Sequence, residues 1–485
     1  MFVSKDDIVI KQDRTYNLLY TICVRLQLKC ILEWIEGRVM EEKKYLKGWQ
    51  KVAYGAGDFG SNFMYTFVSS FVLIYLTDTV GLNAGIIGTL MLLTKCLDGV
   101  TDVFFGRLID RTKSKMGKAR PWMFWSTFPL AIAEIMLFMI PNASQTVQYV
   151  YFFVIYTLLN AFFYTANNIA YASLTALISK NPHERVQAGT YRFMFAMLAG
   201  IVIASITAGL VDSFGGGAAG WRMVAIIYTI IMIAFNMLTV FSVKEVTDET
   251  EEKAEDSEGL RFIDSIKLLI SNRYYLLILA FYLLQYGMQG ITNGVGIYFC
   301  TYVLHNPDAL GLFSFAGMIP MIVGLAFTPS LVKKYGIYKV NRAGMVFSVV
   351  FGLVFIAVGY MGNFPLMLVV SALRGLGMSP MLGTLNAVIA DASAYTYKKD
   401  RVHLDGTMFS CSSMGIKLGG GIGTAICGWM LALGGYVSGA ATQSAAAIGT
   451  IQFMYIVIPA IVCVLMLLVM WGLDVQKGIQ ELDAK

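Results

Sequence analysis

Residues 95–102 read Lys95-Cys-Leu-Asp98-Gly-Val-Thr-Asp102, and residues 106–122 read Gly106-Arg-Leu-Ile-Asp110-Arg111-Thr-Lys-Ser-Lys115-Met-Gly-Lys118-Ala-Arg120-Pro121-Trp122. The first part lies in an apolar run long enough, at about 20 residues, to cross a bilayer. It nevertheless holds two aspartates and a lysine, and an ionisable group at bilayer depth costs ~2.5–3.5 kcal/mol on insertion scales. The second part is a loop carrying Arg107, Arg111, Lys113, Lys115, Lys118 and Arg120. An apolar span that ends in a basic loop is what a chain threading a membrane looks like. The charges inside the span then ask for a function.

Working outward, similar apolar stretches recur at 52–77, 84–108, 122–141, 147–178, 190–212 and 222–243. They resume at 273–303, 309–332, 341–361, 364–391, 405–433 and 447–473. Of the 485 residues, 57% are hydrophobic and 14% charged, against about 25% charged in soluble proteins. The expected fold is therefore an all-α membrane protein with twelve transmembrane helices in two six-helix halves. The halves are 51–243 and 273–473, joined by a charged cytoplasmic linker at 244–272 and followed by a cytoplasmic tail at 474–485. Residues 1–50 form a cytoplasmic leader. Because Met40 opens a short charged lead-in to the first span, 1–39 is expected to fall outside the native chain.

Basic residues fall in alternate loops: 106–120, then Lys180 and Arg185, Lys333 to Arg342, and Lys398 to Arg401. The intervening loops 78–83, 141–145, 305–308 and 362–365 hold no lysine or arginine, and only Arg222 breaks the alternation. By the positive-inside rule both termini are cytoplasmic in a multi-pass plasma-membrane protein. The formal charge of +6 is thus spent on orientation and implies no nucleic-acid partner. The seven cysteines show no C-x-x-C pair, and read as small apolar residues rather than a metal or redox site.

The ionisable groups expected at membrane depth are Asp58, Lys95, Asp98, Asp102, Glu134, Arg192, Arg374 and Lys417. Asp98 and Asp102, four apart, share a helix face with Cβ atoms about 5–6 Å apart. Two carboxylates so placed can both ligate a hard monovalent cation such as Na⁺. Without the ion, repulsion and burial would hold a proton instead. A structural ion pair with Lys95 is the plainer alternative, although one lysine cannot neutralise two aspartates. Asp58 and Asn62 repeat the spacing with one charge. The fourth stretch carries Tyr164-Thr165-Ala-Asn167-Asn168, and Arg192 offers a donor fork suited to sugar hydroxyls or a carboxylate. Lys417 sits between Ser410-Cys-Ser412-Ser413 and Gly419-Gly-Gly421, where backbones can approach closely.

The 6+6 plan resembles the major facilitator superfamily, with two halves rocking about a midplane site. The loop Gly106-x-x-x-Asp110-Arg111-x-x-x-Lys115 is similar to its loop signature: a glycine for close helix approach, and charges that gate the cytoplasmic side. More closely, Tyr54-Gly-Ala-Gly57-Asp58-Phe-Gly-Ser-Asn62, Asp98-x-x-x-Asp102 with its loop to Trp122, and Gly406-Thr-Met-x-Ser410 leading to Lys417-Leu-Gly-Gly resemble the glycoside–pentoside–hexuronide:cation symporter family. Its best-known member is the melibiose permease. That resemblance implies a coupling-cation site of Asp98 and Asp102 helped from the fourth helix by Thr165, to which Asn168 is added by position. It also implies sugar contacts at Ser61, Asn62, Asn168, Arg192 and Lys417, to which Asp58 and Tyr164 are added by position. The melibiose permease has acids where Asn62 and Asn168 stand and an aromatic residue at Ala172, which argues against melibiose and looks more like the glucuronide and pentoside branches.

The expected function is uptake of a glycoside, pentoside or hexuronide with Na⁺ or H⁺ by alternating access, in a monomer with no cofactor beyond the coupling cation. The alternative is a Na⁺-coupled carrier of an amphiphile such as a lysolipid. An enzyme is not expected: His183, His305 and His403 lie in or beside loops, and no nucleophile–His–acid set accompanies them.

Overall fold

Backbone N–H and C=O groups in hydrocarbon have no water to bond, so each apolar stretch must satisfy them internally as a helix. The structure, a computed structural model, describes residues 44–179, 181–246, 270–400, 405–440 and 442–483. Most of the leader and linker expected at 1–50 and 244–272 lies outside the described residues. The first six long helices are α1 Gly48–Ile74, α2 Ala84–Arg111, α3 Arg120–Leu137, α4 Gln145–Thr157, α5 Pro182–Ser213 and α6 Gly217–Ser242. The next six are α7 Arg273–Tyr298, α8 Ala309–Tyr335, α9 Ile337–Met361, α10 Phe364–Asp400, α11 Asp405–Leu433 and α12 Ala445–Gln452. A short helix, α13 Val475–Asp483, follows in the tail and packs on α10.

Four of these continue through a π-helical turn: α1 into Tyr75–Thr79, α4 through Leu158–Tyr164 into Thr165–Leu177, α7 into Phe299–Val303, and α12 through Phe453–Val457 into Ile458–Gly472. Side chains mark several starts. Asn83 accepts from the Gly85 and Ile86 amides, Asn272 from Tyr274 and Tyr275, and Ser444 from Ala447. Among the described residues eleven helices are long and apolar enough to cross a bilayer. The twelfth is α3, only 18 residues long, in which Arg120, Pro121, Pro129 and Glu134 dilute the apolar content.

Within each half the helices pack as a bundle: α1 on α5 and α6, α3 on α6, α8 on α10, and α9 on α10 and α12. The halves meet through two equivalent pairs, α2 with α11 and α5 with α8, and through α1 with α7. The α2–α11 crossing is close because both helices present glycine. A Cβ on Gly428 would lie 2.4 Å from the Ala84 carbonyl and 3.1 Å from Gly88 Cα, so any side chain there would push the halves apart.

Hydrogen bonds between the halves gather at the end formed by residues 78–83 and 434–444. The Asp78 carboxylate accepts from the Tyr302 hydroxyl at 2.5 Å and from the Tyr436 hydroxyl. Thr77 and Tyr298 share a hydroxyl bond of 2.8 Å, and Ser438 donates to the Leu82 carbonyl. The molecule is closed there.

Two acids, Glu184 buried and Glu245 half-buried, tie the opposite end. Glu184 accepts from the Ser179 hydroxyl, from the Tyr45 and Leu46 amides and from Lys51 at 3.0 Å. Burial pushes its pKa up, but these donors outweigh burial and hold it below the usual carboxylate range. Glu245 sits at the N-terminus of α3, where the Lys118, Ala119 and Arg120 amides point at it from 2.6, 2.9 and 2.8 Å. Gly117 makes that cradle. Its φ is +107°, and a Cβ would fall 2.3 Å from the Glu245 carboxyl carbon.

Candidate functional site

At 1.5 Å per residue, Asp98 is about 20 Å from either end of α2, that is, near the bilayer midplane. Helical spacing brings Lys95, Asp98 and Asp102 onto one stripe, and the two neighbouring helices complete it. Thr165, at the point where α4 leaves its π-helical turn, places Oγ1 2.5 Å from Asp98 Oδ1 and 3.0 Å from the Asn160 carbonyl. One hydroxyl proton serves one acceptor at a time, and the carboxylate is both nearer and charged. From the other half, Lys417 of α11 brings Nζ to 3.0 Å from Asp98 Oδ1 and pairs also with Asp102. Lys95 lies 3.8 Å from Asp98 Oδ2, donates to Asn160 at 3.4 Å and faces the Tyr65 ring. Asp98 is buried, and Asp102 and Lys417 are partly exposed. Two carboxylates and two ammonium groups therefore form one chain of charge across the interface of the halves.

A cavity of about 280 Å³ opens beside this chain. Asn62, Tyr164, Asn168, Asp98 and Lys417 line it, as do Tyr65, Tyr156, Asn160, Tyr286 and Asn293, which sequence reasoning did not single out. Tyr65 and Tyr164 stack face to face, centroids 5.5 Å apart, making one flat wall. Amide groups and aromatic faces are what hydroxyl-rich ligands require: donors and acceptors in fixed directions and a surface for C–H edges. The interleaved aromatic and amide residues on α1 and α4 were the available signal. Their partners on α7 carry no charge to draw attention.

Of the expected contacts, Asp58, Ser61 and Arg192 are not on this wall, and others have protein partners as well. Asp58 and Arg192 bond each other, Nε to Oδ2 at 2.6 Å, with the guanidinium 4.0 Å over the Tyr171 ring and Nη1 on Thr175. Neither is on the cavity wall. The buried Ser61 donates to Asn236, and Asn62 spends an amide proton on the Asp58 carbonyl. Asn168 lines the cavity rather than joining the bonds around Asp98. Lys417, expected on substrate, holds the aspartates. Of the expected gate, Arg111 and Lys115 are exposed and the Asp110 side chain lies outside the described residues. A Cβ on Gly106 would meet nothing within 4 Å, so no close helix approach requires glycine there. The loop is fastened instead by Glu245, and by Arg120 donating to the Val240 carbonyl at 2.6 and 2.9 Å.

With that geometry in hand, comparison with known proteins is direct. The family model described as MFS/sugar transport protein matches residues 53–477. The isoprimeverose transporter of Lactiplantibacillus pentosus is 30% identical over 85% of this chain and 85% of its own length. YagG of Escherichia coli (strain K12), which bears the name of a glycoside/cation symporter, is 27% identical over 85% of this chain and 88% of its own. Among solved structures, a D-xylose-proton symporter superposes with a TM-score of 0.62 at 15% identity, covering 88% of this chain and 98% of that one. At that identity the likeness is one of fold.

Proposed function

The chain belongs to the MFS/sugar transport protein family, and on that premise we propose that it imports a glycoside, pentoside or hexuronide with a monovalent cation by alternating access. The observation that carries this reading is Lys417 reaching across the interface to Asp98 and Asp102 beside a cavity lined with amides and tyrosines. The Lys417 ammonium holds the position between the carboxylates that a coupling cation would take. An incoming Na⁺ or proton competes for the same carboxylates with the Thr165 hydroxyl as a further ligand. Displacing Lys417 frees α11 from α2, so cation binding and the relative movement of the halves become one event. Sugar occupying the cavity then bridges both halves and favours the alternate state.

The alternation of basic loops supports cytoplasmic ends. The closed end is then the outer one, and this is the inward-facing state. The relatives named for isoprimeverose and for glycoside/cation symport support the substrate class. The wall of Asn62, Asn160, Asn168 and Asn293 does not favour an amphiphile.

The test is uptake into proteoliposomes of labelled pentosides, glycosides and hexuronides, with Na⁺ and pH varied independently. A cation gradient is expected to stimulate uptake of one class. Asp98→Asn and Asp102→Asn each abolish the stimulation while retaining sugar exchange without a gradient. Accumulation indifferent to both substitutions overturns the proposal.

A further inference from the structure

A cavity of about 230 Å³ lies in the second half, at the end remote from Asp78, between the start of α7, the end of α10 and the tail helix α13. Helix α13 turns Val475, Gly478, Ile479 and Leu482 inward at i, i+3, i+4 and i+7, so it docks by one face. The docking is close. A Cβ on Gly478 would run into the Tyr274 hydroxyl, which donates to the Asp474 carbonyl at 3.3 Å. Tyr274 and Tyr395 meet edge to face with centroids 4.8 Å apart, and both line the cavity.

Charge sets this wall apart. Arg273 and Lys399 stand on it with one acid, Glu481, and neither cation forms a hydrogen bond or an ion pair with another described residue. The wall therefore carries one positive charge in excess. A phosphodiester, with a single negative charge, balances that excess, whereas a phosphate monoester near two overshoots it. The surroundings of Arg273 add the second half of the argument. A Cβ on Gly472 would lie 3.7 Å from Arg273 Nη2, so the guanidinium rests against the end of the α12 continuation. Trp471 beside that glycine is 60% exposed, and Leu276, one turn on from Arg273, is 43% exposed. Apolar side chains exposed on membrane-spanning helices face lipid, and a tryptophan at a helix end marks the headgroup level. The basic wall thus meets the hydrocarbon-facing surface at the depth where phospholipid phosphates lie.

We propose that this cavity holds the headgroup of an anionic glycerophospholipid of the phosphatidylglycerol type. Its phosphodiester takes charge-assisted bonds from Arg273 and Lys399, and the glycerol hydroxyls donate to the Glu481 carboxylate. Its acyl chains run down the surface of Leu276 and Trp471. One lipid then fastens α13 to α7 and α10. This inference needs only a bilayer around the chain and stands apart from the sugar reading.

The experiment titrates the full-length protein in detergent with phosphatidylglycerol, phosphatidylethanolamine or phosphatidylcholine of the same acyl chains, and counts bound lipids by native mass spectrometry. One phosphatidylglycerol is expected to bind ahead of all others. Arg273→Gln and Lys399→Gln each weaken that first binding about fivefold; both residues are exposed, so neither change disturbs packing. The control Lys333→Gln with Lys334→Gln, two exposed lysines at the end of α8, leaves it unchanged. Equal retention of the three lipids, a first binding indifferent to both α7 and α10 substitutions, or an equal loss in the α8 control overturns the proposal. Inorganic phosphate and glycerol 3-phosphate form the soluble arm. If either raises the unfolding temperature of the parent and not of Arg273→Gln, the site belongs to a soluble phosphate and the lipid assignment falls.

Discussion

Arg192 and Asp58 are a largely buried pair, Asp58 buried and Arg192 half-buried, whose partners come from the first half. The guanidinium is held by the carboxylate, by Thr175 and by the Tyr171 face, and Tyr171 in turn bonds the α1 backbone at Asp58 N. Removing one member of such a pair strands the other. Arg192→Met is therefore expected to cost about 3–5 kcal/mol, read as a fall in the unfolding temperature of the solubilised protein. Asp58→Asn combined with Arg192→Met should regain most of that loss, because no uncompensated charge is left. A double variant no more stable than Arg192→Met alone contradicts the pairing. The i, i+4 spacing of Asp58 and Asn62 was visible in the sequence. That Asp58 would turn to an arginine 134 positions away was not, since both residue types suit a ligand equally well until the fold places them.

Helices α1 and α7 hold equivalent places in the two halves, and both end in a π-helical turn at the closed end, Tyr75–Thr79 and Phe299–Val303. These turns carry several of the groups that join there: Thr77 and Asp78 from one, Tyr302 from the other, with Tyr298 one residue before it. Asp78→Ala removes the acceptor of two tyrosine hydroxyls. At about 1–2 kcal/mol for the pair of bonds, the balance should move five- to thirty-fold toward the state open at that end. In an otherwise cysteine-free protein carrying Ser69→Cys on the cavity wall, labelling by a membrane-impermeant maleimide from that face should accelerate accordingly. An unchanged rate refutes the latch. The twelve helices were legible because the bilayer demands some twenty apolar residues from each. The π-helical turns were not, because i→i+5 bonding leaves no compositional mark. Nor were the full lengths. Helix α10 runs on to Asp400 past Lys398 and Lys399, since hydropathy registers the thickness of the membrane and not the end of the helix.

For the whole molecule, the central pair was readable and its electrostatics were not. Asp98 and Asp102 declare themselves by spacing, and Thr165 by resemblance to a family. Lys417 lies 319 positions beyond Asp98, in the other half. Only the packing of α11 against α2 makes it the second ammonium that one lysine on α2 could not supply. The consequence is electrical. With Lys95 and Lys417 against Asp98 and Asp102, these four groups together carry no net charge, whereas a membrane potential acts on each unbalanced charge with about 2.3 kcal/mol per 100 mV. In the proposed cycle this cluster therefore moves no net charge while its lysines hold the aspartates, and the potential acts on it only in the loaded step. Lys417→Ala unbalances the midplane by one negative charge. Currents recorded from proteoliposomes on a solid-supported membrane should then show a voltage-dependent return in the variant and none in the parent, and identical behaviour of the two would contradict this account. In the proposed cycle a single lysine on α11 thereby decides which step the membrane potential drives.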